Sequence, residues 1–374
     1  MITGLIQPKK WKKFFAVGLA AVVAVVGTTC VVLRTAPHLS DELDATARVA
    51  AGFILPDGAA QTLLQTEEQP DTAMEQSEES AAAEPSSASS APESSLESSV
   101  SKAEKTNKTW SGKPYPIEEL VLQNGGVQYG SIFVKNENDY TAIDIEEELS
   151  KTPDLSIQKD GTPQVLLYHT HTMEAYLEEE SDTFYSDMET RTRDESKSVV
   201  AVGDAIAKRL EAAGIGVIHD KTIHDEQYNG SYNRSAETIE ENLEKYPTIQ
   251  VTIDVHRDAM TAQNGTRYKP TVTINGKKAA QIMIISGCDD DGTLGFPDWE
   301  YNLRLALRLQ QAGTEIDPHF VRPLLFGPHI YNENSTHNSL LVEFGTEVNT
   351  VEEAVYSGEL FGDALVSVLD QFTA

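Results

Sequence analysis

Four side chains in this sequence have the types and spacing of a metal-assisted hydrolase. His171 and Glu174 form a His-x-x-Glu pair in Tyr168-His169-Thr170-His171-Thr172-Met173-Glu174. A second histidine, His256, stands in Asp254-Val255-His256-Arg257-Asp258, and Glu343 in Leu341-Val342-Glu343-Phe344-Gly345. Catalytic Zn²⁺ sites commonly take two histidines and a carboxylate and keep a fourth position for water. A further carboxylate must then accept a proton from that water. The set supplies each part once: His171, Glu174 and His256 as ligands, Glu343 as general base. Arg257 could polarise the substrate carbonyl or hold the oxyanion. His169 could replace His171 as ligand, or bind substrate. Singly, each item has a plainer reading: a histidine after a strand is usually a hydrogen-bonded structural residue, and Glu343 could be a buried partner of Arg257. The joint occurrence is the stronger signal, because buried carboxylates need a partner.

These residues must be positioned by strands. Val165-Leu166-Leu167-Tyr168 is a short apolar run after Pro163, as expected of a buried parallel strand. Ser198 to Ala213 has helical spacing and a Gly214 stop. Ile215 to Ile218 and Thr248 to Val255 read as strands, and Ser235 to Lys245 as a helix with Ser235 as N-cap. Residues 270–274 and 280–286 read as strands around an Asn275-Gly276 turn. A helix follows over Asn302 to Gly313, a strand over Ser339 to Phe344 and a helix over Val351 to Phe372. Alternating strands and helices predict an α/β fold, a mostly parallel sheet covered on both faces, with sites beyond the strands' carboxyl ends. The chemistry-bearing strings fall at three such places.

The 374 residues carry 29 basic and 59 acidic side chains, a net charge of −30. That balance speaks against nucleic acid as a partner, since phosphate contacts need clustered Lys and Arg. Two cysteines, Cys30 and Cys288, exclude a disulfide framework and a Cys-ligated cluster.

The folded part is expected only from about residue 114. Lys9, Lys10, Lys12 and Lys13 form a basic tail (1–13) before an apolar run at 14–33 with no charge. Twenty residues at 1.5 Å rise span roughly 30 Å, the hydrocarbon thickness of a membrane. Basic flanks stay cytoplasmic, so a single span should leave the rest of the chain outside. Residues 34–113 read as a juxtamembrane segment, with a short helix possible at 36–56, and a disordered acidic linker. Between Ser77 and Ser101, 11 of 25 residues are Ser. Such a stretch cannot bury enough apolar surface to offset chain entropy. Residues 114–374 are the expected catalytic domain.

The strings at 167–176, 254–259 and 341–346, with Asn349, Arg322 and Tyr331-Asn332, look like the stage II sporulation protein P family. His224-Asp225 and Tyr228 to Ser235 fit the same pattern, as does the order membrane helix, linker, hydrolase. The resemblance covers about residues 114–374. It implies a zinc-dependent N-acetylmuramoyl-L-alanine amidase that also cuts peptide cross-bridges in peptidoglycan. The implied setting is forespore engulfment at the septal membrane, with stage II sporulation proteins D and M. The family is similar to zinc amidases of the cell wall and, in fold, to zinc carboxypeptidases. The carboxypeptidase pattern carries over onto His171, Glu174, His256 and Glu343. The amidase pattern places the ligand glutamate at the start of a later helix, which leaves Glu195 as the alternative to Glu174. Tyr228, Tyr232, Arg234 and Tyr331 are candidate wall-binding residues, with loop packing as the ordinary reading; His224 is a further candidate. The rival activities are a zinc carboxypeptidase on stem peptides, with Arg257 gripping a terminal carboxylate, and a non-catalytic wall-binding scaffold.

Overall fold

The computed structural model describes residues 110–374. The expected membrane span at 14–33, the juxtamembrane segment and the linker up to residue 109 lie outside them. Among the described residues no helix is long and apolar enough to cross a membrane.

Seventeen elements follow in chain order: β1 (Pro114–Leu120), β2 (Val127–Tyr129), β3 (Ile132–Asn136), α1 (Ile145–Ser150), β4 (Pro163–Tyr168), β5 (Thr183–Tyr185), α2 (Val199–Ala212), β6 (Gly216–His219), α3 (Ser231–Lys245), β7 (Val251–Asp258), β8 (Arg267–Ile274), β9 (Lys277–Ala280), β10 (Ile282–Gly287), α4 (Trp299–Ile316), β11 (Leu324–Gly327), β12 (Ser339–Thr346) and α5 (Val351–Leu369). Eight strands form the main sheet in the order β2-β3-β11-β10-β12-β7-β4-β6. All its adjacent pairs are parallel except β2 with β3 and β10 with β12. The mostly parallel α/β sheet expected from the sequence is therefore present, with one internal reversal at β12.

The alternation of side chains along each strand sorts the two faces. Val165 and Leu167 of β4, Val251, Ile253 and Val255 of β7, and Leu340, Val342 and Phe344 of β12 join one large core with α2, α4 and α5. The intervening residues face the other way. Leu166 and Tyr168 pack with Ile239 of α3, while Leu341 packs with Met283, Ile285 and Leu325. Three long helices thus cover one face. The other carries α3 and loops, which leaves room for polar side chains from the central strands.

Several boundaries differ from the sequence reading for tertiary reasons. The third strand runs through Asp258, so His256 is inside a strand and not beyond its end. Helix α3 starts at Ser231 after Gly230 in the left-handed region (φ 81°). Ser235 is therefore not its cap; it is buried within the helix, with Oγ 2.7 Å from Thr170 Oγ1. The Asn275-Gly276 turn joins β8 to β9 as an antiparallel hairpin. The expected 280–286 strand begins later, as β10, because the chain changes sheets near Gln281. A second sheet, β5-β1-β8-β9, flanks the first.

Candidate active site

Two neighbouring strands set the centre. Parallel β7 and β12 place His256 directly opposite Glu343. The register shifts just after Glu343, where Gly345 takes φ +68°. A Cβ at 345 would lie 2.5 Å from Asn349 Oδ1 and 2.7 Å from Ala280 Cβ, so conformation and close approach both require glycine. Asn349 Oδ1 accepts from Thr346 N–H at 2.9 Å and fixes the irregularity.

The loop after β4 brings in the His-x-x-Glu pair. Glu174 N–H donates to His171 O at 3.1 Å, closing a turn that presents both side chains together. The His171 and His256 rings meet edge to face with centroids 5.3 Å apart. His256 Nδ1 lies 3.6 Å from Glu174 Oε2, which also accepts from Arg257 N–H at 3.0 Å. His256 Nε2 lies 2.8 Å from Asp254 Oδ1. Asp254 is in turn fixed by Thr170, whose N–H and Oγ1–H donate at 2.8 and 2.6 Å. His171, Glu174, His256 and Glu343 are thus brought together, all four buried, on the face of the sheet that carries α3.

The electrostatics differ sharply between these groups. Burial opposes charge on His256, but Asp254, Glu174 and Glu343 outweigh it and push the imidazole up to about 10. Burial, helped by His256 and Arg191, lowers His171 to about 2. Burial and then Asp258 hold Glu343 well above the usual carboxylate range, with His256 opposing, Glu174 adding and Arg322 opposing. Both Glu343 oxygens and His256 Nδ1 are buried without a hydrogen bond.

These observations bear on zinc. Neutral His171 is a competent ligand, and the carboxylates that hold a proton on His256 would equally favour a cation in its place. Asp254 behind His256 is the outer carboxylate that ligating histidines commonly have. The donor chemistry therefore suits Zn²⁺. Among the described residues, no three His, Cys, Asp or Glu side chains are drawn onto one coordination point.

The remaining candidates stand elsewhere. Arg257 is fully buried, and it donates from Nε to Ala175 O and from Nη2 to Thr190 O, both at 2.9 Å. It clamps the loop that carries Glu174. His169 lies under α2, with Nδ1 2.9 Å from Val255 O and Nε2 2.9 Å from His219 Nε2; its ring is not in the cluster. Glu195 opens a 3₁₀ turn at the surface, 3.2 Å from Lys221 Nζ, and does not join the cluster either. His224 braces the His-x-x-Glu loop, with Nδ1 2.7 Å from His169 O and Nε2 2.8 Å from Thr238 Oγ1. Arg234 donates to the carbonyls of His224, Gln227 and Asn229, tying down the loop before α3. Tyr228 stacks on His171 at 4.6 Å, and Tyr232 meets it edge-on at 5.8 Å.

Sequence reasoning missed the supporting residues Asp254, Asp258 and Arg191. Asp258 accepts from Arg322 Nη1 at 2.8 Å, and Arg191 pairs with buried Asp225 at 2.9 Å. The signal was available: an acidic residue two before and two after His256 lies on the same side of a strand. Two clefts, of about 470 and 510 Å³, lie away from all of these residues, against α5 and around Lys113 and Arg267.

Comparison with known proteins gives the lineage. The curated stage II sporulation protein P of Bacillus subtilis (strain 168) is 26% identical over 263 residues, which span 63% of this chain and 62% of the relative. Among solved structures, the N-acetylmuramoyl-L-alanine amidase AmiC2 of Nostoc punctiforme aligns with a TM-score of 0.33 at 10% identity, covering 57% of this chain and 98% of that one. The CwlD amidase from Clostridioides difficile, solved in complex with the GerS lipoprotein, aligns with a TM-score of 0.33 at 12% identity, covering 56% and 98%. The family model for stage II sporulation protein P matches residues 42–366, and the chain belongs to that family.

Proposed function

We propose that this chain is a zinc-dependent peptidoglycan hydrolase of sporulation, an N-acetylmuramoyl-L-alanine amidase with a further endopeptidase activity. The observation that carries the reading is Glu343. A carboxylate fully buried, without a hydrogen bond and directly opposite a histidine is costly to fold. Such groups concentrate at functional sites. The raised proton affinity of Glu343, set by burial and then Asp258, suits a group that takes a proton and gives it back.

His171, Glu174 and His256 would hold the metal. Zn²⁺ bound there would supply Lewis-acid polarisation of the scissile amide. Glu343 would take the proton of the attacking water and deliver it to the leaving amine of L-alanine. Asp254 would keep the His256 ring oriented, and Arg257 would keep Glu174 in reach through its main-chain N–H. Arg257, Arg191, Arg234 and Arg322 each have carbonyl or carboxylate partners. A carboxypeptidase needs a cation for the terminal carboxylate, so these commitments favour the amidase reading over that rival. The scaffold reading has no use for a buried base.

Family membership and the N-terminal sequence support a setting for this activity. A single span at 14–33 would place the domain outside the cytoplasm, at the engulfing membrane, with stage II sporulation proteins D and M as partners. Protease added to protoplasts should then degrade the domain; protection would contradict that orientation. The activity itself is tested by incubating the full chain with purified peptidoglycan. Peptides with a free L-alanine amine and peptide-free glycan are expected. Shortened stem peptides on intact glycan would instead mean a carboxypeptidase.

A further inference from the structure

A group of aromatic side chains beside the acid–histidine cluster has polar atoms that nothing in the fold satisfies. Tyr232, on the first turn of α3, stacks on Tyr331 with ring centroids 5.4 Å apart. Tyr331 in turn lies 4.9 Å from the ring of His329. Tyr232 Oη and His329 Nε2 are both buried and without a hydrogen-bond partner. A hydroxyl and a ring nitrogen left this way each cost free energy of about 1–3 kcal/mol unless a ligand supplies the missing bond.

The backbone holds this arrangement under strain. Tyr331 and Asn332 are consecutive non-glycine residues at positive φ, +35° and +59°. Residues in that region cost of order 1–3 kcal/mol each and mark functional sites. Asn332 Nδ2 secures the turn to α3, donating to Tyr232 O and Ser235 Oγ at 3.0 Å each. The strained turn therefore exists to set Tyr331 between Tyr232 and His329.

The rings and their unpaired polar atoms select the ligand. Burial, then Glu343 and Glu333, holds the Tyr331 hydroxyl above its ordinary range. Burial lowers His329 to about 4, so its ring is neutral. The row offers aromatic faces and no cation, so it gives the carboxylate-bearing stem peptide no charged partner. It accepts a neutral ring with apolar C–H faces and amide or hydroxyl groups, which describes an N-acetylated amino sugar.

We infer that Tyr232, Tyr331 and His329 form a saccharide subsite that holds the amino-sugar ring on the glycan side of the scissile amide. The inference rests on the amidase reading for its place in the reaction, but the binding itself can be measured without turnover. The probe is the disaccharide N-acetylglucosaminyl-N-acetylmuramic acid with its lactyl carboxylate capped as the methylamide. Calorimetry on the full chain should show binding that weakens by about tenfold or more in Tyr331→Ala. His329→Gln, at the outer end of the row, should also weaken it, and Tyr331→Phe should keep most of it. The free stem peptide should not compete. Unchanged disaccharide affinity in folded Tyr331→Ala and His329→Gln, or displacement by the stem peptide, would overturn the subsite. Wild-type chain that binds the disaccharide but releases no peptide from peptidoglycan would contradict the amidase reading and leave the subsite standing.

Discussion

Glu343 and His256 face each other across the parallel pair β12 and β7, as direct partners in the register. On one side His256 Nε2 lies 2.8 Å from Asp254; on the other, Nδ1 lies 3.6 Å from Glu174. The sheet, and not a flexible loop, therefore fixes the distance between Glu343 and His256. A site mounted on strands is held more tightly than one mounted on loops.

The irregularity after Glu343 should be sensitive to a single methyl group. Gly345→Ala places a Cβ 2.5 Å from Asn349 Oδ1 at a φ of +68°. Strain of this kind costs of order 1–3 kcal/mol, before any loss from moving Asn349. Urea unfolding should show the variant destabilised by at least that amount, with hydrolysis reduced because Glu343 lies two residues away. Wild-type stability would mean that the turn relaxes freely.

Glu333 offers a pH test away from the histidine pair. Burial holds its carboxyl well above the usual range, Gly287 N–H opposes this and Asp254 adds to it. A raised folded pKa gives stability that is fully present below the unfolded value of about 4.3 and is lost as pH rises toward the folded value. Wild-type protein should therefore lose stability relative to Glu333→Gln as the pH goes from 5 to 8. Thermal melts of both across that range check this; parallel curves would show that Glu333 is not held protonated.

Much of the site was legible because local signals coincide with tertiary ones. The apolar run Val165 to Tyr168 is central strand β4, and the His-x-x-Glu spacing closes a single turn. Ser198 caps α2, accepting from Val200 N–H at 3.3 Å. The illegible part concerns partners distant in sequence. Nothing in Arg257 or its neighbours says that its guanidinium ends on carbonyls at 175 and 190. His169 and His171 differ by two residues, yet one lies under α2 and the other faces His256. Strand β1, with prolines at 114 and 116, pairs with residues 267–270, a match set by packing and invisible to periodicity.

A buried charge ties the second sheet to the last helix. Lys269 is almost fully buried, with Nζ 2.8 Å from Glu353 Oε1 and close to Glu180. Glu353 Oε2 also accepts from Thr350 N–H at 2.9 Å, closing the capping box of α5, and from Asn349 Nδ2 at 3.0 Å. Lys269→Met leaves Glu353 without its cation, which typically costs about 3–5 kcal/mol. Chemical denaturation should show that loss. A change under 1 kcal/mol would mean that Glu180 or solvent compensates.

The assignment of base and ligand is tested most directly by comparing Glu343→Gln with Glu174→Gln for zinc content and peptide release from purified peptidoglycan. Both substitutions keep shape and remove charge. Glu343→Gln should retain about one zinc per chain while turnover falls by about 10²–10⁴-fold, the usual worth of acid–base catalysis. Glu174→Gln should lose zinc and activity together, because a neutral amide is a poorer ligand. Loss of zinc in Glu343→Gln with retention in Glu174→Gln would exchange the two roles, and retention in both would mean that neither carboxylate is a ligand. Full activity in both variants would contradict the account.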